Sequence, residues 1–174
     1  MAVIRVIRNK RQRKNYMQGL IAKIWNNPDA IYRWNYGCPG GSATGIIDAF
    51  SMVHRAYASL AVPAQCFQLV LEPGVSIETA QQFVSNVVLY IGKEYQTIAV
   101  LAHNAEGVLE VTFVVNSVSY KDGCVFYDNN QTYIQLKRVF ETLSGQKWSF
   151  ETADSVLFNN QDDEKRYRDI DEYV

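Results

Sequence analysis

The sequence has 174 residues, of which 48% are hydrophobic and 20% are charged, a composition typical of one globular domain. It contains no run of the roughly 18 apolar residues that a membrane span requires, and its beginning lacks the apolar core of a secretory signal. We therefore expect a cytoplasmic protein with no membrane partner. The three cysteines, Cys38, Cys66 and Cys124, are widely spaced and belong to no Cys/His cluster, which argues against a disulfide framework or a zinc site.

The charges are segregated along the chain, although the net charge is only −1. Six basic residues lie within the first 14 positions, ahead of the first acidic residue, Asp29. After position 150 the chain contains eight acidic residues and three basic ones. The pattern predicts a domain over residues 1–150 and an acidic, flexible tail over residues 151–174. A basic arm neutralises phosphates and so indicates a nucleic-acid partner, whereas a solvated helix face explains the same residues without a partner.

The first half of the chain alternates between strand and helix signals. "AVIRVIR" alternates apolar and basic residues, which predicts a strand with one wet face. "QRKNYMQGLIAKIWNNPDA" has its apolar residues at helical spacing, and Asn27-Pro28 ends that helix. "YRWNYGCPGGSATG" is expected to form a loop or a short extended piece. Ser42 is in position to cap the helix that follows.

The second half predicts a sheet completed by two further helices. "AQCFQLVLEP" is typical of a buried strand, and Ser76 opens a long amphipathic helix. "YQTIAVLAHN" and "VLEVTFVVNSVSY" predict two strands joined by "AEG", and "KDG" turns the chain into a third, "CVFYD". "NQTYIQLKRVFETLSGQKW" predicts the last helix. The sum is an α+β fold with a central antiparallel sheet of about five strands and helices packed on one face.

The second of these strands places polar side chains on the face that the helices leave open. Leu109, Val111, Phe113 and Val115 point toward the helices, and Glu110, Thr112 and Asn116 point away from them. His103 is near enough to lie on the adjoining strand. Histidine and glutamate are good metal ligands and threonine is a poor one, so His103 and Glu110 are weak candidates for a metal site. The same residues are also explained by a polar strip on a half-solvated antiparallel sheet, with no metal-binding or catalytic role.

From about residue 14 to 150 the chain resembles the relaxase/mobilisation nuclease family of plasmids and conjugative elements. This family belongs to the single-strand DNA endonucleases named for a His-hydrophobic-His motif. The matching pieces follow the family's order and are "NNPDA", "YGCPGGSA", "LEPG" with "IETAQQF", "FVVNSVSYKDG" and "TYIQLKRVFETL". The resemblance implies a central antiparallel sheet whose exposed face carries the active site. It also implies a tyrosine nucleophile that becomes joined to the 5′ phosphate, assisted by a divalent metal on three histidines.

The resemblance fails where the family carries its chemistry. The family motif H-x-D-x-x-H-x-H-x-H-x-x-x-N, laid over residues 103–116, matches His103 and Asn116 only. Glu110 and Thr112 stand at the paired metal histidines, and Ile24 stands at the tyrosine position in the register set by Asn27-Pro28. We therefore expect a remnant site formed by His103, Glu110, Thr112 and Asn116, with no confident catalytic residue and no cofactor. Whether the chain is an enzyme stays open, and the loss of these residues favours a protein that is not one.

Three hypotheses follow for function. The first is a catalytically degenerate relaxase-like pseudoenzyme that binds single-stranded DNA or assists mobilisation proteins. Its DNA-binding candidates are Arg5, Arg8, Arg11, Arg13, Lys14, Arg33, Tyr36, Lys137 and Arg138. The second is a nicking enzyme with an altered site, using Mg²⁺ or Mn²⁺ and a relocated nucleophile from Tyr16, Tyr32 or Tyr36. The third is a protein-interaction module or homodimer that uses the open sheet face.

Overall fold

The computed structural model describes residues 1–7 and 15–151. Six strands and four helices form within these ranges, which confirms the α+β class. In chain order they are β1 (Ala2–Ile7), α1 (Tyr16–Trp25), β2 (Tyr32–Tyr36), α2 (Ala43–Ala56), β3 (Ala64–Val70), α3 (Ile77–Gly92), β4 (Thr97–His103), β5 (Leu109–Asn116), α4 (Asn130–Ser144) and β6 (Trp148–Phe150).

All six strands belong to one sheet, in the order β2-β4-β5-β3-β1-β6. Neighbouring strands pair antiparallel, except that β6 pairs parallel to β1. The sheet therefore has six strands where about five were expected. Two of them, β2 and β6, were not predicted as strands, and one predicted strand, "CVFYD", is absent from the sheet. The three residues of β6 are too few to show a strand pattern in the sequence.

Helices cover both faces of the sheet, whereas the sequence led us to place them on one face. α3 and α4 pack over a large core that contains Val111 and Phe113 of β5. α1 and α2 pack on the opposite face, where Ile21 and Phe50 meet Val114. The predicted alternation of β5 is thus correct, but part of its second face is apolar and takes up two helices. Helical spacing identifies the apolar side of a helix and does not say which sheet face it will cover.

The helix starts follow the capping residues that the sequence offers. Ser42 Oγ accepts a hydrogen bond from the Gly45 backbone N–H at 3.1 Å and so caps α2. Ser76 Oγ accepts from the Thr79 backbone N–H at 3.1 Å and caps α3. Each cap satisfies a backbone donor that has no partner inside the helix. Both predicted caps are therefore confirmed.

The segment "CVFYD" does not form the strand that the sequence predicts. Only an isolated bridge between Val118 and Val125 remains of the expected pairing. Phe126 turns inward and packs edge-on against the rings of Tyr95 and Tyr133. Burying this aromatic ring takes the segment away from the strand path. By contrast, the segment expected as a loop or short extended piece begins with strand β2.

No helix within the described ranges is long and apolar enough to cross a membrane. Several sequence predictions lie outside the described residues. These are the basic candidates Arg8, Arg11, Arg13 and Lys14, and the acidic tail beyond Glu151.

Candidate functional site

A groove of about 490 Å³ lies between α1 and the sheet face on which α1 and α2 pack. Helix α1 and the turn after it form one wall. The lining residues are Leu20, Lys23, Ile24, Asn27 and Pro28 from this wall, Ile7 from β1, Cys66 and Gln68 from β3, Val100, Ala102 and His103 from β4, and Glu110 and Thr112 from β5. Ile24, His103, Glu110 and Thr112, which the sequence singled out separately, therefore line one groove.

Strand pairing sets the order of side chains on the groove floor. Arg5 lies opposite Gln68, Gln68 opposite Thr112, and Thr112 opposite Val100, which makes one row across four strands. Glu110 lies two residues from Thr112 on β5, so its side chain leaves the same face of the sheet. This row is therefore polar from β1 to β5 and becomes apolar at β4, and its members Gln68, Thr112 and Val100 line the groove.

The guanidinium of Arg5 links this row to two carboxylates. Its Nη1 donates to Oε1 of Gln68 at 3.0 Å and to Oε2 of Glu110 at 3.2 Å, and its Nε donates to the carboxylate of Glu151. The hydrogen bond to Glu151 is the main cause that raises the pKa of Arg5, and the same bond lowers the pKa of Glu151. The side chain of Glu110 is only 17% exposed. The arginine charge is thus held between two carboxylates at the side of the groove.

Gln68 extends the network and is a site residue that the sequence reasoning missed. Its Nε2 donates to the hydroxyl oxygen of Thr112 at 3.1 Å. Gln68 is partly buried within a mostly buried strand. A polar residue in a largely apolar strand is the signal that identifies it. The polar floor therefore consists of Glu110, Gln68 and Thr112, and Arg5 beside the groove links Glu110 to Gln68 by hydrogen bonds.

Comparison with known families identifies the domain. The sequence model of the MobA/VirD2-like relaxase nuclease domain matches residues 21–147, well over half of the chain. The chain belongs to this relaxase family. The match gives it a DNA-processing, mobilisation-related role in outline and implies DNA as the molecule it acts on. The searches of curated proteins and of solved structures give no match.

The relaxase match includes part of the groove and excludes another part. It begins within α1 and ends before β6, so that it contains Ile24, Glu110 and Thr112 and leaves out Arg5 and Glu151. Ile24, Glu110 and Thr112, which the sequence motifs align with the family's tyrosine and two of its metal histidines, line the same groove. That alignment stays a prediction.

The donors in the relaxase groove do not fit a metal held by three imidazoles. His103 lies opposite Leu109, whose side chain is in the α3/α4 core, so strand alternation sends His103 to the face opposite Glu110. This corrects the expectation that both share one face, although His103 does reach the exposed rim of the groove. Glu110 is paired with Arg5, and Thr112 is a poor ligand. Within the described ranges, no three His, Cys, Asp or Glu residues are grouped as metal ligands.

Asn116 is a structural residue and does not lie on an open face. It is fully buried, where its Nδ2 donates to Oε1 of Gln96 at 2.8 Å and to the backbone oxygen of Phe50 at 3.3 Å. Its Oδ1 accepts from the Val118 backbone N–H at 3.1 Å. The cause of this burial is α2, which covers this end of β5. Asn116 joins the helix to the sheet and is remote from the groove lining.

The three tyrosines considered as substitute nucleophiles do not line the groove. Tyr16 begins α1, and burial is the main cause that raises the pKa of its phenol. Tyr32 and Tyr36 lie opposite Leu101 and Thr97, on the α3 side of the sheet. The Tyr36 ring packs closely on α3 at Gly92, so the base-stacking role that the sequence suggested for it stays a prediction.

The basic candidates are divided between the two sides of the sheet. Arg33 donates from Nε to the Trp25 carbonyl and from Nη2 to the Asn27 carbonyl, both at 2.7 Å, and so caps the end of α1. Lys137 and Arg138 lie on α4, with the Lys137 ammonium 5.8 Å from the centre of the Phe150 ring. One base on the groove side was missed by the sequence reasoning. It is Lys23, an exposed residue at the groove rim.

Proposed function

We propose that this relaxase domain binds single-stranded DNA without cleaving it and assists the mobilisation machinery of a plasmid or conjugative element. The observation that carries the proposal is the content of the groove. Ile24 lines this groove, and in the register set by Asn27-Pro28 this aliphatic side chain takes the place of the family tyrosine. A salt bridge between Arg5 and Glu110 stands at one of the metal-histidine positions.

The chemistry of these side chains supports binding over cleavage. Strand transfer to a protein needs a hydroxyl held in line with phosphorus, and Ile24 has no nucleophilic atom. The Thr112 hydroxyl oxygen accepts a hydrogen bond from Gln68, and among the described residues no group within hydrogen-bonding reach is placed to remove its proton. A metal that polarises the phosphate needs several basic ligands, and the groove offers only the His103 imidazole and the Glu110 carboxylate, of which Glu110 is already paired with Arg5. We therefore propose that no divalent cofactor takes part.

A cleavage assay tests the loss of chemistry directly. Supercoiled plasmid is incubated with the protein and Mg²⁺ or Mn²⁺, and the products are separated with and without protease treatment. We expect no nicked circle and no protein-linked 5′ end. A nicked product that is lost in the Ile24→Ala and Thr112→Val variants would show an altered but active site, and the proposal would then be wrong.

Binding is expected on the groove side of the sheet. Lys23 is exposed at the rim of the groove, and Arg33 lies at the end of the same helix. Lys137 and Arg138 lie on the far side, on α4, and a single strand bound along α1 does not reach them. We therefore propose that Lys23 contacts phosphate and that the two α4 residues do not.

Fluorescence anisotropy with a labelled single-stranded oligonucleotide tests this placement. Affinity is measured from about 50 mM to about 300 mM salt, because phosphate contacts weaken as salt rises. We expect Lys23→Ala to reduce the slope of log K against log salt by about 0.7, the effect of one lost contact on a single strand. Arg138→Ala is the matched control and should leave the slope unchanged. Absence of binding at the lowest salt would exclude the DNA role.

A dimer through an open sheet face is a weaker alternative for this relaxase. α1 and α2 bury Val100 and Val114 on the face that such a dimer would need. The sheet surface left to a partner is therefore the narrow floor of the groove. Analytical ultracentrifugation measures the species in solution, and we expect a monomer.

A further inference from the structure

The groove has the size of a small-ligand pocket. Its volume of about 490 Å³ is within the range of pockets that bind a small organic ligand. Aliphatic side chains, among them Ile24, make up about half of its lining, and polar side chains make up the rest. The positive charge of Arg5 is already met by the carboxylates of Glu110 and Glu151. An uncharged ring with polar groups at its edge fits such a lining, and an attached phosphate is left to Lys23 at the rim.

The hydrogen-bond network fixes the direction of each polar group on the floor. A guanidinium only donates, so the group of Gln68 that faces Arg5 must be the amide oxygen. The amide nitrogen of Gln68 then faces Thr112, and the Thr112 oxygen must accept. The hydroxyl proton of Thr112 is therefore not used toward Gln68. It makes no hydrogen bond to any other group in the part of the chain that the structure describes.

Glu110 supplies an acceptor beside this donor. Its Oε2 accepts from Arg5, and within residues 1–7 and 15–151 its Oε1 makes no hydrogen bond. Because Glu110 and Thr112 are two residues apart on one strand, the acceptor and the donor leave the same face of the sheet, roughly 7 Å apart along the strand. A donor and an acceptor that are unused by the described residues of one groove indicate a ligand that presents the complementary pair along one edge.

We propose that this groove binds one heteroaromatic base of a nucleotide by its hydrogen-bonding edge. An N–H of the base donates to Glu110 Oε1, and a ring nitrogen or carbonyl accepts from the Thr112 hydroxyl. One face of the base packs against Ile24, as apolar side chains pack on bases that leave the stack. The proposal deepens the proposed DNA-binding function, on which it rests where the base belongs to single-stranded DNA. A free nucleotide carries the same edge.

Two kinds of probe distinguish a base of single-stranded DNA from the base of a free nucleotide. Deoxynucleoside monophosphates are titrated into the isotope-labelled protein and followed by backbone amide NMR shifts, and oligonucleotides with bases or with abasic sites are compared by anisotropy. We expect shifts on β5 and α1, and weaker binding of the abasic oligonucleotide. Thr112→Val keeps the side-chain shape and removes the donor, so we expect about fivefold weaker binding of the monophosphate and of the base-containing oligonucleotide. Thr142→Val, on exposed α4, is the matched control and should bind like the wild type.

A second variant guards against an uninformative result. Ile24→Trp fills the groove and should abolish the shifts, while the amide spectrum shows that the fold is retained. Equal affinity for oligonucleotides with and without bases, or unchanged binding by Thr112→Val, would overturn the base pocket and leave the DNA-binding function intact. Binding of monophosphates that is lost in Thr112→Val, with no binding of any oligonucleotide, would uphold the pocket and overturn the DNA-binding function.

Discussion

Nη1 of Arg5 donates to Oε2 of Glu110 over 3.2 Å, although the two residues are 105 positions apart in the chain. The contact joins β1 to β5 across the intervening strand β3. Glu110 lies within the residues that the relaxase family model matches, and Arg5 lies outside them.

Removing Arg5 should destabilise the fold because it leaves the mostly buried Glu110 carboxylate without its partner. For Arg5→Met we expect the free energy of unfolding in urea to fall by about 1–2 kcal/mol, the range for a lost charged hydrogen bond at a partly exposed site. Adding Glu110→Gln to this variant should recover part of the loss, because the uncompensated charge is then removed. Arg138→Met is the control on an exposed helix face and should change stability little. Additive effects of the two substitutions would contradict the coupling.

The stability that Glu151 contributes should depend on pH. Arg5 holds the pKa of this carboxyl below its ordinary value of 4.5, so the folded state binds its proton less readily than the unfolded state does. The contribution is therefore fully present above that ordinary value and is lost as the pH falls through the lowered pKa. The difference in unfolding free energy between the wild type and Glu151→Gln should be constant near neutral pH and shrink below about pH 4.5. A difference that grows on acidification would show that the pairing is wrong.

Gly92 should tolerate no side chain, because α3 and β2 approach each other closely at this residue. A Cβ at Gly92 would lie 2.5 Å from Cδ1 of Tyr36. We expect Gly92→Ala to lower the free energy of unfolding by about 1–3 kcal/mol, the usual cost of overpacking. Gly19→Ala in α1 is a matched control, since a Cβ at Gly19 would meet no heavy atom of the described residues within 4 Å. That control should stabilise the helix by up to about 1 kcal/mol.

The rates at which the cysteine thiols react with a thiol reagent should differ between the protein surface and the groove. Cys124 is exposed, whereas Cys66 is buried under α1, and burial raises the pKa of the Cys66 thiol to about 12. At pH near 8 we expect one fast phase with a thiol reagent, and it should disappear in Cys124→Ser. Burial also raises the pKa of Cys38 to about 12. Cys66 should react only as α1 separates from the sheet, and fast labelling of Cys66 in the native protein would contradict its burial.

The candidate site was only partly predictable, and the reason is visible in its residues. Glu110 and Thr112 were found because their alternation along one strand is local information. His103 does lie on the adjoining strand β4, as expected, but the register between β4 and β5 puts it opposite Leu109 and at the rim of the groove. The hairpin turn that sets this register could not be predicted from the alternation alone. Gln68 was missed because its role depends on two partners that come from other strands.

By itself, the sequence determined the alternation of β5, the caps at Ser42 and Ser76 and the relaxase family, since each depends on neighbouring residues or on short motifs. Only the tertiary structure decided which face each helix covers, that Asn116 is buried and that Arg5 pairs with Glu110. These outcomes depend on contacts between segments far apart in the chain, and an amphipathic pattern shows that a surface will be buried without naming its partner.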